Sequence, residues 1–334
     1  MKKWVTLCAG VIASVAILVT CLGAAAPRDP VGAPDLMHFR LGPVHGRSLS
    51  PDAFDYASRP PDARSSDDGP LLLFLPATRA RPASYRTFLR TASSVGYHVL
   101  GLDYWNIGTS VTHACGRIPS CYTAIQQNRF NGSHPSMYSR VDAANSIVNR
   151  LHSALHYLGR HDADGGWNRY TSGSRIRWDR VVVAGHSQGG GESAYIAHRT
   201  RVQGALMFSS PVDTDSGVAA SWMSTVGKTD PSRMYAFDNA HDMYFTKIVG
   251  SWQRLGLGRF GHVVRGAAPT GSHELISTKT IGTPAQSHGR TVSDTTEGAR
   301  TGVPGYRAVW EWMLKQVLHP ALPAQPAEGQ HSGS

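Results

Sequence analysis

The stretch Val181-Val182-Val183-Ala184-Gly185-His186-Ser187-Gln188-Gly189-Gly190-Gly191-Glu192-Ser193-Ala194-Tyr195-Ile196-Ala197 reads as a strand, a sharp turn and a helix. The unbroken apolar run from Val181 to Ala184 suits a strand buried on both faces. The run from Gly189 to Ala197 is helix-compatible, with its smallest residues first. Between them lies Gly-x-Ser-x-Gly, a pattern that chance alone produces easily in a chain with 35 glycines. Its place between strand and helix gives it meaning. A serine there must hold a strained backbone conformation, and Gly185 and Gly189 leave room where strand and helix pack closely. The helix also turns its amino end toward the serine, so the Gln188 N–H and the helix dipole are placed to stabilise a developing oxyanion. Ser187 is therefore the predicted nucleophile.

Outward from this stretch the chain alternates strands and helices. Leu71 to Leu75 is a continuous apolar run bounded by Pro70 and Pro76, followed by a helix-like segment from Ser84 to Ser94 and a strand from Tyr97 to Leu102. Val111 to His134 shows no clear period and reads as an insertion loop. From Pro135 the pattern turns helical, with Val141, Ile147, Val148, Leu151, Leu155 and Leu158 on one face. Asp162 to Gly173 reads as a polar connection. Beyond the serine, Gly204 to Phe208 and Met234 to Phe237 are predicted strands, with a weaker one from His262 to Arg265. Val309, Trp312, Met313 and Val317 mark an amphipathic helix stopped by Pro320. This order predicts an α/β fold, a mostly parallel central sheet with helices on both faces. Catalytic groups should then gather at the carboxyl ends of the strands.

The chain begins Met1-Lys2-Lys3, continues apolar from Trp4 to Val19, and reaches Gly23-Ala24-Ala25-Ala26. Those are the three parts of a secretory signal peptide, taken as residues 1–26 with cleavage near Ala25 or Ala26. An uncleaved anchor and a lipid on Cys21 are the alternatives. Residues 27–69 read as a loose lead-in with one or two short strands, near Met37 to Val44 and Ala53 to Ser58. Residues 70–319 read as the catalytic domain and 320–334 as a disordered tail. The expectation is a secreted or cell-envelope protein with no stable membrane span after leader cleavage. Cys8 and Cys21 fall in the leader, which leaves Cys115 and Cys121 as a pair around a segment able to turn, a disulfide in an oxidising compartment. Their spacing does not suit zinc. The net charge is +10, or +8 without Lys2 and Lys3. The arginines are scattered, which argues for a solvated basic surface and against a nucleic-acid partner.

From about Pro70 to Leu318 the elbow and the order of elements resemble the α/β-hydrolase superfamily, secreted serine esterases and lipases in particular. The resemblance implies an acid after a late strand and a histidine before the last helix. Asp242 is the expected acid, with Asp213 as the alternative, and His288 is the expected base, with His273 as the alternative. A second oxyanion donor should come from the loop Pro76-Ala77-Thr78-Arg79, where the superfamily often has glycine and this chain has none; Thr78 is the positional choice, with Ala77 beside it. Tyr104 and Trp105 are expected to line a substrate pocket. The implied chemistry is acyl-enzyme hydrolysis of a small-molecule or lipid ester, with no cofactor and no metal. The same residues would serve an extracellular acyltransferase or a peptidase, and a non-catalytic binding protein on the same scaffold is the remaining reading. Nothing in the chain fixes an oligomeric state.

Overall fold

The computed structural model describes residues 34–41, 54–61, 69–261, 263–265, 272–294 and 305–319. The predicted signal peptide, most of the lead-in and the tail lie outside them. In chain order the strands are β1 (Met37–Phe39), β2 (Asp55–Ser58), β3 (Leu71–Leu75), β4 (His98–Gly101), β5 (Thr171–Ser172), β6 (Arg175–Ile176), β7 (Val181–His186), β8 (Gly204–Phe208), β9 (Thr214–Asp215), β10 (Val218–Ala219), β11 (Met234–Asn239), β12 (Val264–Arg265) and β13 (Glu274–Ser277). The α-helices are α1 (Arg86–Val95), α2 (Val111–Cys115), α3 (Pro119–Asn131), α4 (Ile147–His161), α5 (Gln188–Arg199), α6 (Phe245–Leu255), α7 (Pro284–Gly289) and α8 (Arg307–Leu318).

The main sheet has the order β1-β2-β4-β3-β7-β8-β11-β13-β12. β1 and β2 pair antiparallel, β2 runs antiparallel to β4, and every later pair is parallel. Successive side chains of β3 enter opposite layers, as the period of a strand requires. Leu71, Leu73 and Leu75 join Leu151, Ile196 and Trp252 on the α4, α5 and α6 side. Leu72 and Phe74 join Phe88, Leu89, Val309 and Trp310 on the α1 and α8 side. Helices therefore cover both faces, as the sequence implies.

Several elements depart from the sequence reading. Val111 to His134 is not a loop: it holds α2 and α3, joined by the Cys115–Cys121 disulfide. The inward face of α3 is largely polar, with Gln126, Asn128 and Arg129 buried beside Tyr122 and Ile125, so no apolar period announces it. The helical pattern that seems to begin at Pro135 begins at Ile147, where Ser146 accepts the Asn149 N–H as the N-cap. The connection from Asp162 to Gly173 buries Trp167 and Tyr170, the latter bonded through its hydroxyl to the Gly69 carbonyl at 2.7 Å. The weak strand from His262 to Arg265 is β12, two residues at the sheet edge, with residue 262 outside the described set. β13, between β11 and β12, is an unanticipated strand. Among the described residues no helix is long and apolar enough to cross a membrane.

Candidate active site

β7 is central, between β3 and β8, and it ends in a turn that the sheet itself enforces. Ser187 sits at φ 51°, ψ −116°, in the left-handed half of backbone space that a non-glycine residue rarely occupies. The Ser187 N–H is held by the Phe208 carbonyl at 2.8 Å, and the Ser187 carbonyl accepts the Gly191 N–H at 2.9 Å as α5 begins. Crowding explains the flanking glycines: a Cβ on Gly185 would stand 2.3 Å from the Gly189 carbonyl group, and one on Gly189 would stand 2.0 Å from the Leu75 oxygen. Any larger residue would push the helix off the sheet.

The histidine comes from α7. Thr283 caps this helix with a reciprocal capping box to Gln286, and Pro284 occupies its first turn. That short turn carries His288 to Ser187, with Nε2 2.7 Å from Ser187 Oγ. On the other side, His288 Nδ1 lies 2.7 Å from Asp242 Oδ2, and Asp242 Oδ1 accepts the Tyr244 N–H at 2.6 Å. Asp242 lies beyond the end of β11 and is 6% exposed, so its charge is shielded from water. Burial alone would raise its pKa, but the hydrogen bond and charge of His288 hold it below the ordinary carboxylate value. An ionised acid, a histidine whose Nδ1–H it fixes, and a hydroxyl in reach of Nε2 are the parts of an activated nucleophile.

A second set of groups fixes the position of His288. Its carbonyl accepts from His186 Nε2 at 2.9 Å and from Ser209 Oγ at 2.9 Å. Because a carbonyl only accepts, His186 carries its proton on Nε2, and Nδ1 accepts from Tyr85 Oη at 2.9 Å. Tyr85 Oη in turn accepts the Ala77 N–H at 3.2 Å. His186 stays neutral, its pKa lowered to about 4 first by burial and then by the charge of His288. One hydrogen-bonded line therefore ties the loop after β3 to the histidine helix. Ser209 also meets Asp238 Oδ1 at 3.1 Å. Burial, and then the charge of Asp242, push the Asp238 carboxyl well above the ordinary value, so it is protonated and donates to Asp242. Sequence reasoning assigned no role to His186, Tyr85 or Ser209. His186 lies inside the motif, which was the available signal.

The remaining predicted site residues are placed as follows. The Ala77 N–H is occupied by Tyr85, which leaves Thr78 as the donor in that loop facing Gln188; the Thr78 hydroxyl donates to Gln188 Oε1 at 2.9 Å. Tyr104 is not among the described residues that line the cavity beside Ser187. It is fully buried, donates to the Pro76 carbonyl at 2.9 Å and accepts from Gln188 Nε2 at 3.3 Å, bracing the loop instead. Trp105 is half-buried and forms no part of the cavity wall beside Ser187. His273 stands at the start of β13, at the opposite end of the sheet, bonded to the Met234 carbonyl at 2.7 Å and stacked on Tyr235. Asp213 lies near Ser187 but bonds Gln126 and Trp222, not His288.

The strand order, the parallel pairing and the turn at Ser187 define an α/β-hydrolase fold. No family model matches the chain, and no curated protein matches it in sequence. Among solved structures it is similar to the propionate-bound thermophilic esterase Est2 from the planctomycete Thermogutta terrifontis, at 14% identity and a TM-score of 0.46 over 88% of this chain and 98% of that one. A putative dienelactone hydrolase from Klebsiella pneumoniae aligns at 14% identity and 0.45, over 86% and 98%. A bacterial heroin esterase aligns at 14% and 0.42, over 86% of each chain.

Proposed function

We propose that this chain is an exported serine hydrolase that cleaves carboxylic esters with Ser187 as nucleophile, His288 as base and Asp242 as the orienting acid. The observation that carries the reading is the unbroken relay of two 2.7 Å contacts, Ser187 Oγ to His288 Nε2 and His288 Nδ1 to Asp242 Oδ2. Neutral His288 takes the hydroxyl proton as Oγ attacks the ester carbonyl. The Gln188 and Thr78 N–H groups hold the oxyanion, aided by the amino end of α5. The imidazolium, stabilised by Asp242, then gives its proton to the leaving alkoxide. Water attacks the acyl-enzyme by the same steps in reverse and releases the acid. Export rests on the leader pattern of residues 1–26 and on the Cys115–Cys121 pair, which an oxidising compartment would keep joined.

The test is fluorophosphonate labelling of the purified mature protein beside Ser187→Ala, with hydrolysis of short and medium p-nitrophenyl esters followed in parallel. The variant is expected to lose labelling and about 10⁴-fold or more in kcat/KM. A folded wild type that neither labels nor turns over would put the binding-scaffold reading in its place.

A further inference from the structure

A cavity of about 30 Å³ opens beside Ser187. That is room for about two water-sized groups. Thr78 and Gln188, the proposed oxyanion donors, form part of its wall, with Val111 and Val212 as apolar neighbours. His288, which must meet the leaving oxygen, is not among the described residues that line it. The cavity therefore receives the acyl side of a substrate.

Two buried acceptors close this small space. Asp213 is 4% exposed and Gln126 is 2% exposed. Asp213 Oδ2 accepts from Gln126 Nε2 at 2.6 Å and from Trp222 Nε1 at 3.1 Å, which fixes the carboxyl plane. Asp213 Oδ1 accepts from none of the described residues, and the buried Gln126 Oε1 has no partner among them either. Gly191, on the first turn of α5, keeps the approach open: a Cβ there would stand 3.5 Å from Asp213 Oδ1 and 3.4 Å from Gln126 Nε2. Burial lifts Asp213 to about 6 against the pull of its two donors, so it is chiefly ionised above neutrality. Buried acceptors of this kind are poorly matched to a plain hydrocarbon and well matched to a donor carried in by the ligand.

We propose, on the hydrolase reading above, that this cavity selects a short acyl group bearing a hydrogen-bond donor, a hydroxyl or an amine, on the carbon next to the ester carbonyl, with Asp213 Oδ1 as its acceptor. One carbon and one donor atom match the available space. Asp213 is a specificity residue in this role. Its isostere Asp213→Asn must turn its own oxygen to the Gln126 and Trp222 donors, and so presents an amide N–H where the substrate needs an acceptor.

The experiment compares kcat/KM for methyl glycolate, glycine methyl ester and methyl propionate, the last replacing the donor by a methyl group of similar size. Each rate is divided by the rate of hydroxide-catalysed hydrolysis of the same ester. The wild type is expected to favour glycolate or the glycine ester over propionate at least tenfold, and whichever leads identifies the donor as hydroxyl or amine. Asp213→Asn should cut that ratio at least tenfold. Gly191→Ala, which keeps the carboxylate and narrows its approach, should lower the ratio too and serves if Asp213→Asn does not fold. Turnover of propionate with a wild-type ratio within about threefold of one, or a ratio unmoved in a folded variant, overturns this proposal alone. No turnover of any of the three esters, together with no fluorophosphonate labelling of Ser187, overturns the hydrolase reading and this proposal with it.

Discussion

Asp238 and Asp242 sit four positions apart at the end of β11, and only one of them is available to hold a negative charge against His288. Asp242 takes that part because it accepts from both His288 Nδ1 and the Tyr244 N–H. Asp238, fully buried, keeps its proton and points it at Asp242, while its other oxygen lies 3.1 Å from Ser209 Oγ, whose proton goes to the His288 carbonyl. On the proposed mechanism it is a positioning residue. Asp238→Asn keeps both contacts, with the amide oxygen toward Ser209 and the amide N–H toward Asp242, whereas Asp238→Leu removes both. The expected result is kcat/KM within about threefold of wild type for Asn and about tenfold or more below it for Leu, the worth of a lost hydrogen bond to a charged group. The pH profile of kcat/KM should shift in the Leu variant and hold in the Asn variant; equal losses in both variants would mark Asp238 as merely structural. Ser187 was readable from the turn between strand and helix, while Asp242 and His288 were first choices implied by the family resemblance, each beside an alternative, Asp213 and His273, that the structure places outside the Ser187–His288 contact. Asp238, His186 and Ser209 were not readable, because their roles depend on which atoms meet across elements distant in sequence.

At the scale of elements, α7 carries the largest functional weight for its size. It has six residues, too few for a hydrophobic period, and its start is written instead in Thr283-Pro284-Ala285-Gln286 as a capping box. Thr283→Ala should cost about 1 kcal/mol of stability through the lost cap. Because His288 lies in the last turn of the same helix, kcat/KM should fall severalfold while the melting temperature drops only a few degrees. Thermal unfolding and steady-state kinetics on one preparation check both; a loss of stability with unchanged kcat/KM would show that the His186 and Ser209 bonds to the His288 carbonyl suffice to place it. The strands β3, β7 and β8 were legible since burial on both faces leaves unbroken apolar runs. α3 was hidden by the opposite circumstance: its buried face holds Gln126, Asn128 and Arg129, whose partners are Asp213, Ser133, Ser139 and Val141, and Glu192, all on other segments. β13 was hidden by its length of four residues and by Glu274, an acid that the sequence alone does not place in a sheet.

Among the described residues one charge pattern occurs twice, two buried acids around one buried arginine. Arg150 stands 3.7 Å from Asp55 and 4.0 Å from Asp103. Arg129 stands 3.5 Å from Glu192, which also feels the charge of Asp213. In both clusters a single cation cannot balance two carboxylates away from water, so one acid holds its proton. Burial pushes Asp55 up to about 7 and Glu192 up to about 8, against the pull of their arginines. Both titrate near 4 in an unfolded chain. At pH 6.5 the folded protein therefore binds protons that the unfolded chain has released, and stability must fall as pH rises until the folded acids ionise as well. The buried, neutral histidines His98 and His186, each lowered to about 4, work in the opposite direction, but only below about pH 6.5. The melting temperature should thus drop by about 5 °C between pH 6.5 and 8 and level only above about pH 9, where Glu192 too has ionised, since a protonated group contributes about 1.4 kcal/mol per pH unit across its window. Glu192→Gln, which cannot titrate, should lose more than half of that slope. Calorimetric scans of both proteins across this range decide the matter: a melting temperature that holds or rises toward pH 8 in the wild type would mean that each buried pair is fully ionised and that the protons are not there.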